Sequence, residues 1–295
     1  GPTYLSPIAM VADKAGKTIY IGQATANRVD IFDVASEKVT KSIDIGEPVT
    51  GLTLSADETK LYVTAEGAIG YLRVVDIKTA KVTSKILVGH TPMSPVLSPD
   101  GKTAYVGNRY GRQGTGVSIG SISVVDLVAG KELVAKHVPR EPTSLDISKD
   151  GKTLIVANHL PATASDQDYA AAEVTILDMA GKAKPVQIKL PNGAMALRGL
   201  KISPDGKIAT VTHMLARFHL PTTQLERGWM NTNAFTLIDV AKKAIINTIL
   251  LDDVDHGAAN PWAIAWSADS ETLCISQAGT HEISVIDMPA LHAKL

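Results

Sequence analysis

The residues able to do chemistry are spread thinly along 295 positions, and none of them falls into a short catalytic signature. Five histidines, His90, His159, His213, His256 and His281, carry imidazoles that can ligate a transition metal. Their separations run from 25 to 69 residues with no paired ligand spacing, so capping of a strand or a bond to a neighbouring carbonyl is the simpler account. Arg198, Arg217 and Arg227 can line a site for a carboxylate or phosphate, because a guanidinium grips either in bidentate fashion; pairing with Glu226 or Asp255 nearby is the alternative. Trp229 and Trp262 can stack on a flat ligand or anchor a partner protein, and Trp262 can equally be packed between structural layers. Asp252, Asp253 and Asp255 lack the alternating oxygens and closing Glu of a calcium loop and read as a solvated turn. Neither a Ser, His and Asp grouping nor a carboxylate pair can be placed, since sequence distance does not say which residues face each other. No catalytic residue, metal site or cofactor is therefore assigned to this chain.

The elements that must position these side chains announce themselves by repetition. The turn Ser-x-Asp-Gly-Lys recurs at Ser98 to Lys102, Ser148 to Lys152 and Ser203 to Lys207, with degenerate copies at Asp13 to Lys17, Ser55 to Asp57 and Ser267 to Asp269. Each copy is followed by an apolar run such as Leu61-Tyr62-Val63 or Ala104-Tyr105-Val106, and then by a second run closing at Asp33, Asp76, Asp126, Asp178, Asp239 or Asp287. Asp and Gly supply the local hydrogen bond and the positive φ that a tight hairpin needs. Four short strands per unit, repeated six times, predict an all-β propeller of antiparallel blades, residues 1–295 forming one domain. The sixth unit ends after its third strand, so an incomplete last blade is expected, with a natural polypeptide that continues. From turn Asp to closing Asp the count is 19 in the second unit but 26, 28 and 34 in the third, fourth and fifth, which places insertions between their second and third strands. Loops there share an end of the blade with the connections between blades, and binding groups on rigid scaffolds sit on such loops. The candidates are Asn108, Arg109, Tyr110, Asn158, His159, His213, Arg217, Arg227, Trp229 and His281 from the loops, and His90, Arg140, Arg198, His256 and Trp262 from the connections.

Composition narrows the partners. The 29 basic and 30 acidic side chains nearly cancel, which removes the electrostatic reason to expect nucleic acid or an anionic membrane surface. No window approaches the ~20 apolar residues of a membrane helix. Cys274, alone in an apolar run, reads as a buried structural thiol. Gly1-Pro2 reads as the remnant of a cleaved tag, so the compartment is not legible from the first residues.

On strands such as Leu61-Tyr62-Val63-Thr64 and Ala104-Tyr105-Val106-Gly107-Asn108 the chain resembles the YVTN-type bacterial β-propellers over essentially its whole length. Residues 217–233 and 252–262 are similar to the long insertion and following segment of propellers that precede di-haem cytochrome c peroxidase-like domains. The resemblance implies a periplasmic or extracellular, non-catalytic scaffold that holds a protein domain or small molecule on its inserted-loop face. It departs from that family in having no Cys-x-x-Cys-His and six visible units where the family commonly has seven. Two alternatives stand beside it: a lactonase-like hydrolase using Arg198 and His213, and a surface protein that binds a cofactor-sized molecule.

Overall fold

In the computed structural model, which describes residues 4–110, 119–164, 166–216, 230–253 and 255–295, the repeated turn folds the first strand of each unit onto the second. In the turn at Ser98, the Ser Oγ donates to Asp100 Oδ1 at 2.5 Å and accepts Thr103 N at 3.0 Å, while Lys102 N donates to Asp100 Oδ1. Ser148/Asp150, Ser203/Asp205 and Ser267/Asp269 repeat the Ser to Asp bond at 2.5–2.6 Å. Gly101, Gly151 and Gly206 take the left-handed position of these turns; where the sequence lacks that Gly, Glu58 and Ser270 adopt φ of 58° and 66° there. An L-residue pays about 1 kcal/mol for that conformation, so the turn is imposed on the degenerate copies by the strands on either side. The donors converging on Asp57, Ser55 foremost, pull its carboxyl down to about 2.

Among the described residues six antiparallel sheets follow one another along the chain, which divides into two compact units, 1–138 and 139–295, with three of these sheets each. Sheet one runs Pro7–Ala12, Thr18–Gln23, Arg28–Asp33, Lys38–Asp44; sheet two Val49–Leu54, Lys60–Ala65, Tyr71–Asp76, Lys81–Leu87; sheet three Pro92–Leu97, Thr103–Asn108, Gly120–Asp126, Lys131–Val138. In the second unit, sheet four runs Pro142–Ile147, Thr153–Asn158, Glu173–Asp178, Val186–Lys189. Sheet five has a first strand broken into Ala194–Met195 and Leu200–Ile202, then Ile208–Ala216, Asn231–Asp239 and Ala244–Leu250. Sheet six has three strands among the described residues, Pro261–Trp266, Thr272–Gln277 and Glu282–Asp287, followed by a short helix, Met288–His292, whose N-cap is Asp287.

Successive sheets within each unit stack through their apolar faces. Val29 and Ile43 of sheet one pack with Leu61, Val63 and Val75 of sheet two; Leu72 and Ile86 of sheet two with Val106 and Val125 of sheet three. In the second unit Val174 and Ile188 meet Leu200 and Val211, and Phe235 and Leu237 meet Leu273 and Ile275. Burial on both faces of the inner strands explains why their apolar runs are continuous. Cys274 is partly rather than fully buried: it alternates along its strand with Leu273 and Ile275, whose side chains pack against sheet five. No described helix is long and apolar enough to cross a membrane.

Candidate functional site

The expected insertions lie between second and third strands: residues 109–119, 159–172 and 217–230, against 66–70 in sheet two. Arg217, Arg227 and Trp229 fall outside the described residues. The remaining candidates separate into groups with different roles.

Three of them are structural. Asn108 and Asn158 end the second strands of sheets three and four instead of opening the loops, and His213 lies within the strand Ile208–Ala216. All three are buried, so their assignment to exposed loops is corrected. Each stands eight residues after its turn Asp, and each reaches across to the third strand, to the residue three before its closing Asp. Asn108 Nδ2 donates to Ser123 Oγ at 2.8 Å, Asn158 Nδ2 to Thr175 Oγ1 at 2.9 Å, and His213 Nε2 meets Thr236 Oγ1 at 2.8 Å. Gln277 with Ser284 and Gln23 with Asp30 complete the same rung in sheets six and one. His213 is held at its other nitrogen by Met214 O at 3.0 Å, and Thr236 passes the contact on to Thr248 at 2.7 Å. Burial pulls its pKa down to about 4, so the imidazole is neutral and both its nitrogens are engaged in the sheet. A general base for the hydrolase alternative would need that nitrogen open to a substrate.

The rung was missed because it is visible only when units are aligned, on the turn Asp in sheets two to six and on the closing Asp in sheet one, where Gln23 stands ten residues after Asp13. Sheet two then stands out: it has Ala65 and Arg73 at the two positions. Arg73 is fully buried, and its guanidinium forms an ion pair with Glu47, which is partly exposed.

A second group consists of cations held against aromatic rings beside the loops. In the first unit Arg109 lies 5.4 Å from the centroid of Tyr110, and the His90 ring meets Tyr110 edge-on with centroids 5.2 Å apart. His90 Nδ1 is within 2.8 Å of Thr91 Oγ1. Tyr110 is exposed, so the cluster presents an aromatic face flanked by two polar groups. In the second unit Arg198, between the two halves of the broken first strand of sheet five, lies 4.2 Å from the ring of Trp262 at the start of sheet six. Gly199 makes this approach feasible: a Cβ there would meet Trp262 O at 2.3 Å. His159 is buried beside this pair, with Nδ1 on Leu197 O at 3.0 Å.

The other candidates do not join these clusters. Arg140 is exposed in the connection that precedes sheet four. His256 and His281 are exposed on two loops tied together by Gly279 N to Ala259 O and Ala278 N to Asn260 O. In the acidic stretch, the Asp252 carboxylate accepts the backbone and side-chain N–H groups of Asn233, and Asp253 N closes a turn onto His256 O.

Parts of the chain align with two curated relatives. Hydrazine synthase subunit beta of Kuenenia stuttgartiensis is 29% identical over 115 residues, covering 39% of this chain and 30% of the relative. Antigen Lp49 of Leptospira interrogans is 31% identical over 110 residues, covering 35% of this chain and 24% of the relative. The alignments thus span less than a third of either relative. No family model matches. Among solved structures, Kuenenia stuttgartiensis hydrazine synthase matches with a TM-score of 0.87 at 26% identity, over 99% of this chain and 79% of that one. The β-propeller domain of Myceliophteria thermophila Cps50 (Swd1) matches at 0.64 with 12% identity, over 95% and 83%, a likeness of fold alone. The chain is an all-β propeller, similar to the hydrazine synthase structure over nearly its whole length.

Proposed function

We propose that this propeller is a non-catalytic scaffold that docks a protein partner through the cation and aromatic groups beside its loops. The observation that carries the reading is chemical: Arg109 with Tyr110 and His90, and Arg198 with Trp262, are planar contact surfaces of the kind that anchor interfaces, while the buried, titrating His213 is spent inside a sheet. The similarity to a subunit of hydrazine synthase supports a role inside a larger assembly. In this reading the chain is an exported YVTN-type propeller, its partner a redox domain of the di-haem peroxidase-like kind, and Arg217, Arg227 and Trp229 extend the docking surface.

The test begins with the protein isolated from its native source, by intact mass and visible spectrum together with the subunits that travel with it. A stoichiometric partner with a haem Soret band is expected. With that partner in hand, Trp262→Ala and Tyr110→Ala should each weaken its binding at least tenfold while leaving the far-ultraviolet spectrum of the propeller unchanged. A colourless protein of this mass, isolated alone, would overturn the reading, as would undiminished binding by both variants.

A further inference from the structure

The outer strand of sheet five differs from those of its sisters in a way that defines a partner. Among the described residues each fourth strand pairs only with the third strand of its own sheet, so its other row of backbone N–H and C=O groups is a template for a further strand. Sheets one to four blunt that edge. Lys38–Asp44 carries Lys38, Lys41 and Asp44; Lys81–Leu87 carries Lys81 and Lys85; Lys131–Val138 carries Lys131, Glu132 and Lys136; Val186–Lys189 is four residues long and ends on Lys189. The strand Ala244–Leu250, Ala-Ile-Ile-Asn-Thr-Ile-Leu, runs for seven residues without a charge, a Pro or a Gly. That is the composition of a segment that pairs with its own kind, not of a guarded edge.

A bulge sharpens the contrast. Sheets one, two, three and five each insert one extra residue at the same place in the fourth strand: Thr40, Thr83, Leu133 and Ile246. In sheets one and two the bulged Thr turns its hydroxyl inward, donating to Ile31 O at 3.2 Å and to Val74 O at 3.1 Å. Ile246 has no group to turn inward and is 40% exposed, with Leu250 at 42% on the same strand. Beyond the bulge, Asn247–Leu250 keeps an unbroken register with Ala234–Leu237 and forms the regular part of the edge.

The flanks say what fits it. The strand is entered from Lys242-Lys243 and left through Asp252-Asp253. Antiparallel pairing of two copies therefore lays the basic end of each beside the acidic end of the other, whereas parallel pairing sets like against like, which destabilises a strand pair. Pairing Asn247–Leu250 with itself in that sense sets Asn247 against Leu250 and Thr248 against Ile249, each twice, with no charge opposed to its like. Such a patch is its own complement, as a two-fold interface requires.

We propose that sheet five joins a second copy of this chain edge to edge through Ala244–Leu250, antiparallel about a two-fold axis beside Thr248 and Ile249. The site is independent of the docking surface proposed above, since it uses none of those residues. The test is light scattering on the whole chain over a range of concentrations, with hydrogen exchange at the two extremes. A concentration-dependent dimer is expected, in which amides of Ala244–Leu250 exchange more slowly than in the monomer. Ile246→Lys gives this edge the charge its sisters carry, at an exposed side chain that spares the fold, and should raise the dimer dissociation constant at least tenfold. Lys242→Glu should raise it severalfold, and Leu133→Lys, at the same bulge of sheet three, should leave it unchanged. A chain monomeric up to millimolar concentration, a dimer protected at another strand, or one undiminished by Ile246→Lys would each overturn the proposal. Protection of Ala244–Leu250 that is the same at every concentration would show the edge covered within one chain and would overturn the choice of partner.

Discussion

The two ends of each sheet obey different rules. At the turn end, five of the six units repeat one arrangement, a Ser hydroxyl on an Asp carboxylate two residues later at 2.5–2.6 Å, and the sixth keeps the Asp, with Asp13 accepting Lys17 N. At the loop end the links vary from four residues to fourteen: the second and third strands are joined by residues 24–27, 66–70, 109–119, 159–172, 217–230 or 278–281. Repetition marks what the fold needs, so the turn end holds the strands in register, and the end without repetition is where contact groups collect. The polar rungs lie at the border between the two regimes. They are built by the repeat, yet their residue types vary from Gln to Asn to His, and each variation changes how much the sheet depends on it.

The His213 rung offers the largest effect. Its imidazole titrates near 4 in the folded chain and near 6.5 when unfolded, so the unfolded state binds the extra proton first. At roughly 1.4 kcal/mol per pKa unit, the folded state loses about 3 kcal/mol as pH falls from 6.5 to 4 and keeps its full stability above 6.5. Urea unfolding followed across that range should show the loss. His213→Asn, which installs the residue used in sheets three and four, should flatten this part of the profile. An unchanged profile in the variant would mean that the rung tolerates a charged ring.

Sheet two gives the next effect, in the opposite sense: a charge is present and must stay paired. Removing Glu47 leaves the buried Arg73 guanidinium without its ion-pair partner, and Glu47→Ala should cost about 2 kcal/mol, less than the roughly 3–5 kcal/mol of a fully buried pair because Glu47 itself is partly exposed. Arg73→Met, which keeps the volume of the stem and removes the charge, should cost less. The reverse order in thermal unfolding would show that the arginine is held by packing alone.

These rungs also mark how far the sequence was readable. The turns, the six closing Asp residues and the positions of the insertions followed from spacing, because hairpin chemistry is local and a repeat multiplies the signal. Asn108, Asn158 and His213 were misplaced into loops for a physical reason: a polar residue at the end of an apolar run resembles the start of a loop, and only its hydrogen bond to the next strand lets it be buried. The Arg198 and Trp262 stack was beyond reach as well, since it joins residues 64 positions apart through the broken first strand of sheet five. Distance between units in sequence carries no information about such a pair.

The smallest effect tests whether the turn end is as modular as its repetition suggests. Ser148 Oγ bonds Asp150 and accepts Thr153 N, and Ser148→Ala removes both contacts from one copy while water can still reach Asp150. The loss should be about 1 kcal/mol, the net worth of a partly exposed hydrogen-bonded turn. The same change at Ser203 should cost a similar amount, and the two together should add, since the sites share no partner. A double variant that loses much more than the sum would mean that the turns act through the strands they join, and that the repeat stabilises sheet four and sheet five as one cooperative body.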